Sequence, residues 1–243
     1  NNQITAETGA VANNFGILMV TIQGAINPTI TNNTITGTDY GVGLTTTTTS
    51  NVITLGSTNS ITGTKLAGVL LTDHLNFNPV GTSDLTFPTD TGSIAVNITG
   101  LPITVASGTG IKIHNLRPSN PDVDATATIS GATITGPGSK GLEMIGPMTH
   151  ANMTTSTVTG FGTGISLTNS SGTPLTAVAN FNRIISTTTA IDNVNNQTVD
   201  LEKNWWGCNA GPGNTGCGAV VGTGADFDPW IVLGVTASPT SVA

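Results

Sequence analysis

The sequence predicts an all-β protein, a parallel β-helix of roughly seven to eight coils. Three observations predict it. Composition favours strands and turns over helices, one short phrase returns along the chain, and within each copy apolar residues alternate with polar ones. Of 243 residues only 8% are charged and 4% aromatic, while 37% are hydrophobic, and there are 31 glycines. Helix formers such as Glu, Lys, Leu and Arg are scarce; Thr, Val and Ile suit pleated sheet, and Gly and Asn suit turns. Disordered chains combine low hydrophobicity with high net charge, which this chain does not.

The repeat follows the chain in order. A weak copy, Ile4-Thr5 with Gly16-Ile17-Leu18-Met19, opens it. Ile35-Thr36-Gly37 is followed by Gly41-Val42-Gly43-Leu44, and Ile61-Thr62-Gly63 by Gly68-Val69-Leu70-Leu71. A weaker copy pairs Ile98-Thr99-Gly100 with Gly110-Ile111-Lys112-Ile113. Ile134-Thr135-Gly136 then precedes Gly141-Leu142-Glu143-Met144, and Val158-Thr159-Gly160 precedes Gly164-Ile165-Ser166-Leu167. Ile184-Ile185-Ser186 with Ala190-Ile191 closes the series. The shortest interval, 134 to 158, is 24 residues and the longest, 61 to 98, is 37.

Alternation over three to five positions is the period-2 signature of strands with one buried face. Two or three such strands make a coil that cannot bury its inner face alone, so successive coils must stack with equivalent strands parallel. Wider intervals imply loops inserted on the outside, at 76–91 and 117–128. Asn33, Asn59 and Asn182 precede repeats; Asn tolerates the left-handed corner conformation, and equivalent amides one coil apart can bond to one another or to the turn backbone.

These phrases resemble the parallel β-helix repeat superfamily, right-handed solenoids that include pectin-acting enzymes, phage tailspikes and surface proteins of bacteria and archaea. Asn204-Trp205-Trp206-Gly207, with Gly211-Pro212 and Asp226-Phe227-Asp228-Pro229-Trp230 after it, looks like the end of the β-helix region in large secreted surface proteins. Such regions are often followed by Ig-like modules, and Ala237-Ser238-Pro239-Thr240-Ser241-Val242 looks like the lead-in to one. The resemblance implies a β-helix over 1–203, a C-terminal cap over 204–233, and a tail or linker over 234–243. It specifies fold well and activity poorly.

The last coil of a solenoid exposes an apolar interior, so Asn204, Trp205, Trp206 and Trp230 are expected to form the cap. Each indole can withdraw on the order of 150–250 Å² from water. A ligand platform is the competing role for the paired tryptophans. Cys208 and Cys217 would close the Gly/Pro/Asn loop between them; two cysteines do not make a four-ligand metal site, and a disulfide implies an oxidising, extracellular setting.

Chemistry is harder to find. Thirteen acidic against six basic residues give a net charge of −7, which argues against a phosphate-binding surface and hence nucleic acid. No run of eighteen apolar residues predicts membrane insertion. The chain starts at Asn1 without Met, which reads as a mature secreted product or a fragment. β-Helix lyases pair a carboxylate cluster for Ca²⁺ with a basic residue; here Lys65, Lys112, Arg117, Lys140, Arg183 and Lys203 read as solvated loop charges. Asp122 and Asp124 are the one candidate for Ca²⁺, through loop oxygens; Asp226 and Asp228 sit outside the repeat. His74, His114 and His150 share no phase in the coil. The consecutive threonines Thr45–Thr49 and Thr187–Thr189 send alternate side chains to opposite faces, unlike the regular Thr-x-Thr rows of ice-binding solenoids. Sequons occur at Asn32, Asn97, Asn152, Asn169 and Asn196.

The expected function is a non-catalytic extracellular structural or adhesive module of a cell-surface or filamentous assembly, with no cofactor. Its partners would be other copies of itself, neighbouring surface modules or glycans. The alternative is a carbohydrate-active enzyme or glycan-binding domain built on the inserted loops.

Overall fold

The computed structural model describes residues 2–6, 13–21, 25, 27–46, 50–72, 93–115 and 124–234. The chain forms a parallel β-solenoid of about seven turns, each turn contributing a strand to three faces. Face 1 stacks Asn2–Thr5, Asn33–Thr36, Ser60–Thr64, Pro102–Val105 and Thr133–Thr135. Face 2 stacks Phe15–Thr21, Tyr40–Thr46, Ala67–Thr72, Thr109–His114 and Lys140–Ile145. In the next two turns the long strands Thr157–Thr168 and Arg183–Asn193 run through both faces and join them into one sheet, which Ala219–Gly222 extends. Face 3 stacks Thr29–Ile30, Asn51–Gly56, Ile94–Thr99, Ala125–Ser130, Thr149–Thr154, Thr176–Asn180, Val199–Asp200 and Ala225–Asp226. Every ladder is parallel, as stacked coils require.

The repeated phrase has a packing explanation. Ile35, Ile61, Ile103, Ile134, Val158 and Ile184 point inward from face 1 and are buried. Glycines at the start of face 2 stack in register beneath them. Gly41, Gly68, Gly110, Gly141 and Gly164 each lie where a Cβ would overlap the Cγ of the next turn's face 1 aliphatic, and a neighbouring carbonyl as well. Glycine is needed here for close approach, and the phrase opens on Gly for that reason. The copy noted at Ile98-Thr99-Gly100 is displaced by one strand. Ile98 belongs to face 3, and the face 1 residue of that turn is Ile103, in Pro102-Ile103-Thr104.

The corner from face 3 to face 1 takes only two or three residues in each turn, for example 31–32, 100–101, 131–132, 155–156 and 181–182. Its outer residue is left-handed at Asn32 (φ 58°), Gly100 (62°), Gly131 (63°), Thr155 (50°), Phe181 (62°) and Lys203 (54°). The next residue points inward and forms a polar column. Asn2 Nδ2 donates to Asn33 Oδ1 (2.9 Å), and Asn33 donates from both its backbone N and Nδ2 to Asn59 Oδ1 (3.1 Å each). After Leu101 and Ala132 the column resumes. Ser156 N donates to Asn182 Oδ1 (2.9 Å), and Asn182 N and Nδ2 donate to Asn204 Oδ1 (2.8 and 3.0 Å). Asn182 Nδ2 also reaches Met153 O at 2.9 Å. The expected Asn stacking is therefore present at all three positions named from the sequence, and Asn2, Ser156 and Asn204 extend it.

Asn182→Ala would leave the Ser156 backbone N–H buried without its partner, at about 1–3 kcal/mol, and would take from Asn204 Oδ1 one of its two donors, the backbone N–H of residue 182 remaining. The expected outcome is a lower urea midpoint with unchanged far-UV circular dichroism. Ala132→Gly, at an apolar rung of the same column, orphans no polar group and should shift the midpoint less.

Candidate functional site

Three arrangements on the described surface bring chemically active side chains together. The first lies on the outer side of face 2. Its early turns carry apolar residues, with Phe15 stacked on Tyr40 at 4.6 Å and 13° and packed beside buried Ala67 and Leu70. Burial, and then the Asp39 carboxylate beside it, pushes the Tyr40 phenol above its usual range. One turn on, the surface becomes ionic. Lys112 stands directly opposite Glu143 in adjacent strands, with Nζ 3.3 Å from Oε2, and Lys140 bonds to Oε1 from the start of the Glu143 strand. Thr109 Oγ1 donates to Glu143 Oε2 at 3.3 Å.

This corrects the reading of the basic residues as solvated loop charges. Lys112, Lys140 and Arg183 are strand residues, and two of them enclose an acid. Lys112 and Glu143 are 31 positions apart but hold the same position in consecutive copies of the repeat, so register makes them neighbours. The Glu143 side chain is 8% exposed. Burial alone would raise its pKa, but the Lys140 hydrogen bond and the charges of Lys112 and Lys140 outweigh it, and the carboxyl is held below its ordinary range. Both lone-pair sets of this carboxylate are occupied by protein donors, so Glu143 is poorly placed to take a proton from a substrate.

The second arrangement is on face 3. His150 Nδ1 lies 2.6 Å from Thr176 Oγ1, and His150 Nε2 lies 3.2 Å from Asp124 Oδ1. The order Asp, His, hydroxyl is that of a nucleophile relay, but neither described cavity is lined by these residues. His114 ends a face 2 strand and so does not join His150; His74 lies outside the described residues. Of the Ca²⁺ candidates, Asp124 is engaged with His150 and Asp122 lies outside the described residues. Among the described residues no three His, Cys, Asp or Glu side chains cluster as a metal site.

Threonines do form a column, from the repeat phrase and not from the consecutive runs. Thr5, Thr36, Thr62, Thr104, Thr135 and Thr159 are in register on the outside of face 1. Thr104 and Thr135 bond to each other through their hydroxyls at 3.1 Å, and Ser60 and Pro102 interrupt the threonines two residues earlier. The column is a lateral tie between coils. Of the sequons, Asn169 is buried, and its Nδ2 donates to Thr173 O at 2.7 Å.

The third arrangement is the Cys-bracketed segment. Cys208 and Cys217 are bonded, with Cα atoms 5.7 Å apart. Trp205 forms a parallel bridge with Arg183, so the two adjacent tryptophans project to opposite sides. Trp206 points inward, is 2% exposed and joins the main core, its Nε1 buried without a hydrogen-bond partner. Trp205 is half-buried and lines a surface cavity of about 290 Å³ with Thr155, Thr157, Phe181, Arg183 and Leu233. Plug and platform were competing roles for the pair; the strand alternation gives one position to each tryptophan. Trp230 packs over Gly211 (φ 81°), where any Cβ would overlap the indole, and its Nε1 donates to Asn209 O at 3.0 Å. Asn209 then holds Leu233 through two 2.8 Å bonds. The tail beyond Gly234 lies outside the described residues, as do the inserted segment 76–91 and residues 117–123.

Among the described residues no helix is long and apolar enough to cross a membrane. Comparison with known protein families, with curated proteins and with solved structures finds no match.

Two outcomes follow from this geometry. A Glu whose folded pKa is depressed contributes stability above its unfolded pKa of about 4.3 and loses it as pH falls through the folded value. The melting temperature gap between the native chain and Glu143→Gln should therefore be largest near neutrality and narrow below about pH 4. Reduction of Cys208–Cys217 should cost about 2–3 kcal/mol and lower the melting temperature while leaving the far-UV spectrum of the folded protein unchanged.

Proposed function

We propose that the chain is a non-catalytic structural or adhesive module of an extracellular, cell-surface or filamentous assembly, built on the β-helix of the pectate-lyase-like superfamily. The observation that supports it best is the Lys112–Glu143–Lys140 cluster. Among the described residues this strand-borne acid and base group is closed on itself, binding coil to coil as the Asn and Thr columns do. The disulfide fits an oxidising compartment. Trp206 and Trp230 act as the cap, one inside the last turn and one over the disulfide loop.

The partner is another β-coil, from a neighbouring module or a second copy. Among the described residues the strands Asn2–Thr5, Phe15–Thr21 and Thr29–Ile30 have a neighbour on one side only, and Ile4, Ile17, Met19 and Ile30 of that turn are partly buried. Such an edge offers unpaired backbone groups and apolar surface to an incoming strand.

The assay that separates this reading from the enzymatic one is release of unsaturated or reducing ends from acidic polysaccharides. No turnover above blank is expected, and turnover that Glu143→Gln abolishes would refute the structural reading. Light scattering should show mass rising with concentration; a strict monomer throughout refutes coil-to-coil assembly.

A further inference from the structure

The two ends of the solenoid are finished differently. At the last turn the outermost strands are Ala219–Gly222 and Ala225–Asp226, four and two residues long, with Asp226, Asp228 and Pro229 exposed beside them. Trp206, Phe227 and Trp230 pack on the core there, and Trp230 lies over the Cys208–Cys217 loop at Gly211. Short strands, charge and proline are the devices that keep a sheet edge from taking another strand. The first turn carries almost none of them among its described residues. Phe15–Thr21 is seven residues long, holds neither Pro nor a charged side chain, and pairs with Tyr40–Thr46 without a register shift. Pro28 guards only the two-residue strand Thr29–Ile30. In a chain of net charge −7, the described part of residues 2–30 contains no Asp, Glu, Lys or Arg.

This edge also complements itself. Residues directly opposite each other in an antiparallel pair lie on the same side of the sheet. A two-fold axis through Leu18 therefore sets Ile17 of one copy against Met19 of the other, and Leu18 against Leu18. Ile17 and Met19 continue the inward columns of Val42 and Leu44, which are 1% and 0% exposed, but are themselves only partly buried. Pairing them across the axis makes the two apolar interiors continuous. The same axis reverses the sense in which the chain circles, so Asn2–Thr5 of one copy lies over Thr29–Ile30 of the other. Ile4 then meets Ile30, and both are inward residues with partial cover.

We propose that the first turn is a self-docking edge, and that two copies of the chain join there head to head, paired antiparallel about Leu18. The inference rests on the coil-to-coil reading above and names the partner as a second copy in one orientation. A head-to-tail stack would need the last turn as the complementary surface, and that turn offers short strands, exposed acids and a closed interior. An isologous contact uses the same patch on both copies, so the assembly closes at two with both capped ends outward. The absence of charge along Phe15–Thr21 fits this use, because any charge near the axis would face its own copy.

The test is sedimentation equilibrium of the intact chain over a wide concentration range, joined to cysteine cross-linking. Mass is expected to rise from one chain to two and stop. Leu18→Lys sets like charges opposite each other and should weaken the dimer roughly tenfold, about 1.4 kcal/mol, with the far-UV spectrum unchanged. Val20→Lys, at a position 36% exposed, should weaken it to a smaller degree. The axis brings the two Leu18 Cα atoms about 4.5–5.5 Å apart, within reach of a disulfide. Leu18→Cys should therefore cross-link into covalent dimers under mild oxidation, and Val221→Cys, exposed on the edge of the last turn, should not. Mass rising past two chains overturns the closed dimer and leaves coil-to-coil assembly standing, while a strict monomer overturns both. Cross-linking through Val221→Cys in place of Leu18→Cys, or a dimer indifferent to both lysines, also overturns the proposal.

Discussion

The corner between face 3 and face 1 is the constraint on which the rest of this solenoid depends. Parallel strands pair in register only if each turn returns the chain to the same point one strand spacing further on, and this corner does so in two or three residues every time. A left-handed residue makes the reversal, and the next one turns inward with a polar side chain that binds its equivalents and the turn backbone. Burying an amide is unfavourable unless it is fully bonded, and here the neighbouring coil supplies the partner. The column thus fixes register between coils where an apolar residue would only fill space.

Two rungs, Leu101 and Ala132, show that the column is not obligatory. They lie near the middle of the face 1 stack, where the aliphatic interior is continuous. The amides concentrate toward the ends, at Asn2, Asn33 and Asn59 and again at Asn182 and Asn204. Fewer coils lie beyond these rungs to hold them by packing, so specific hydrogen bonds carry more of the alignment there.

The architecture was legible in the sequence because its cause is local. A glycine that lets an aliphatic residue of the next turn approach must recur once per turn, and the Gly-aliphatic-any-aliphatic phrase is its trace. The tryptophan pair was legible only halfway, because alternation along a strand says that Trp205 and Trp206 diverge without saying which one faces the core. The ionic group on face 2 was overlooked although the repeat contained it. Lys112 and Glu143 hold the same variable position in consecutive Gly-aliphatic-any-aliphatic copies, so stacking the copies pairs them; only the Lys140 contact and the burial of Glu143 needed the structure.

One difference among the three corners has an evolutionary consequence. The connections from face 2 to face 3 range from 146–148 to the segment between Thr72 and Ile94, while the corner into face 1 never lengthens by more than a residue. Apart from the segment between Thr5 and Phe15, the longest connections between faces fall on this single edge of the solenoid, where extra chain leaves the pitch of the stack untouched. That edge is where lineages carrying this repeat can diverge in length without relearning how to fold, and where a foreign peptide could be grafted for display at little cost to the framework.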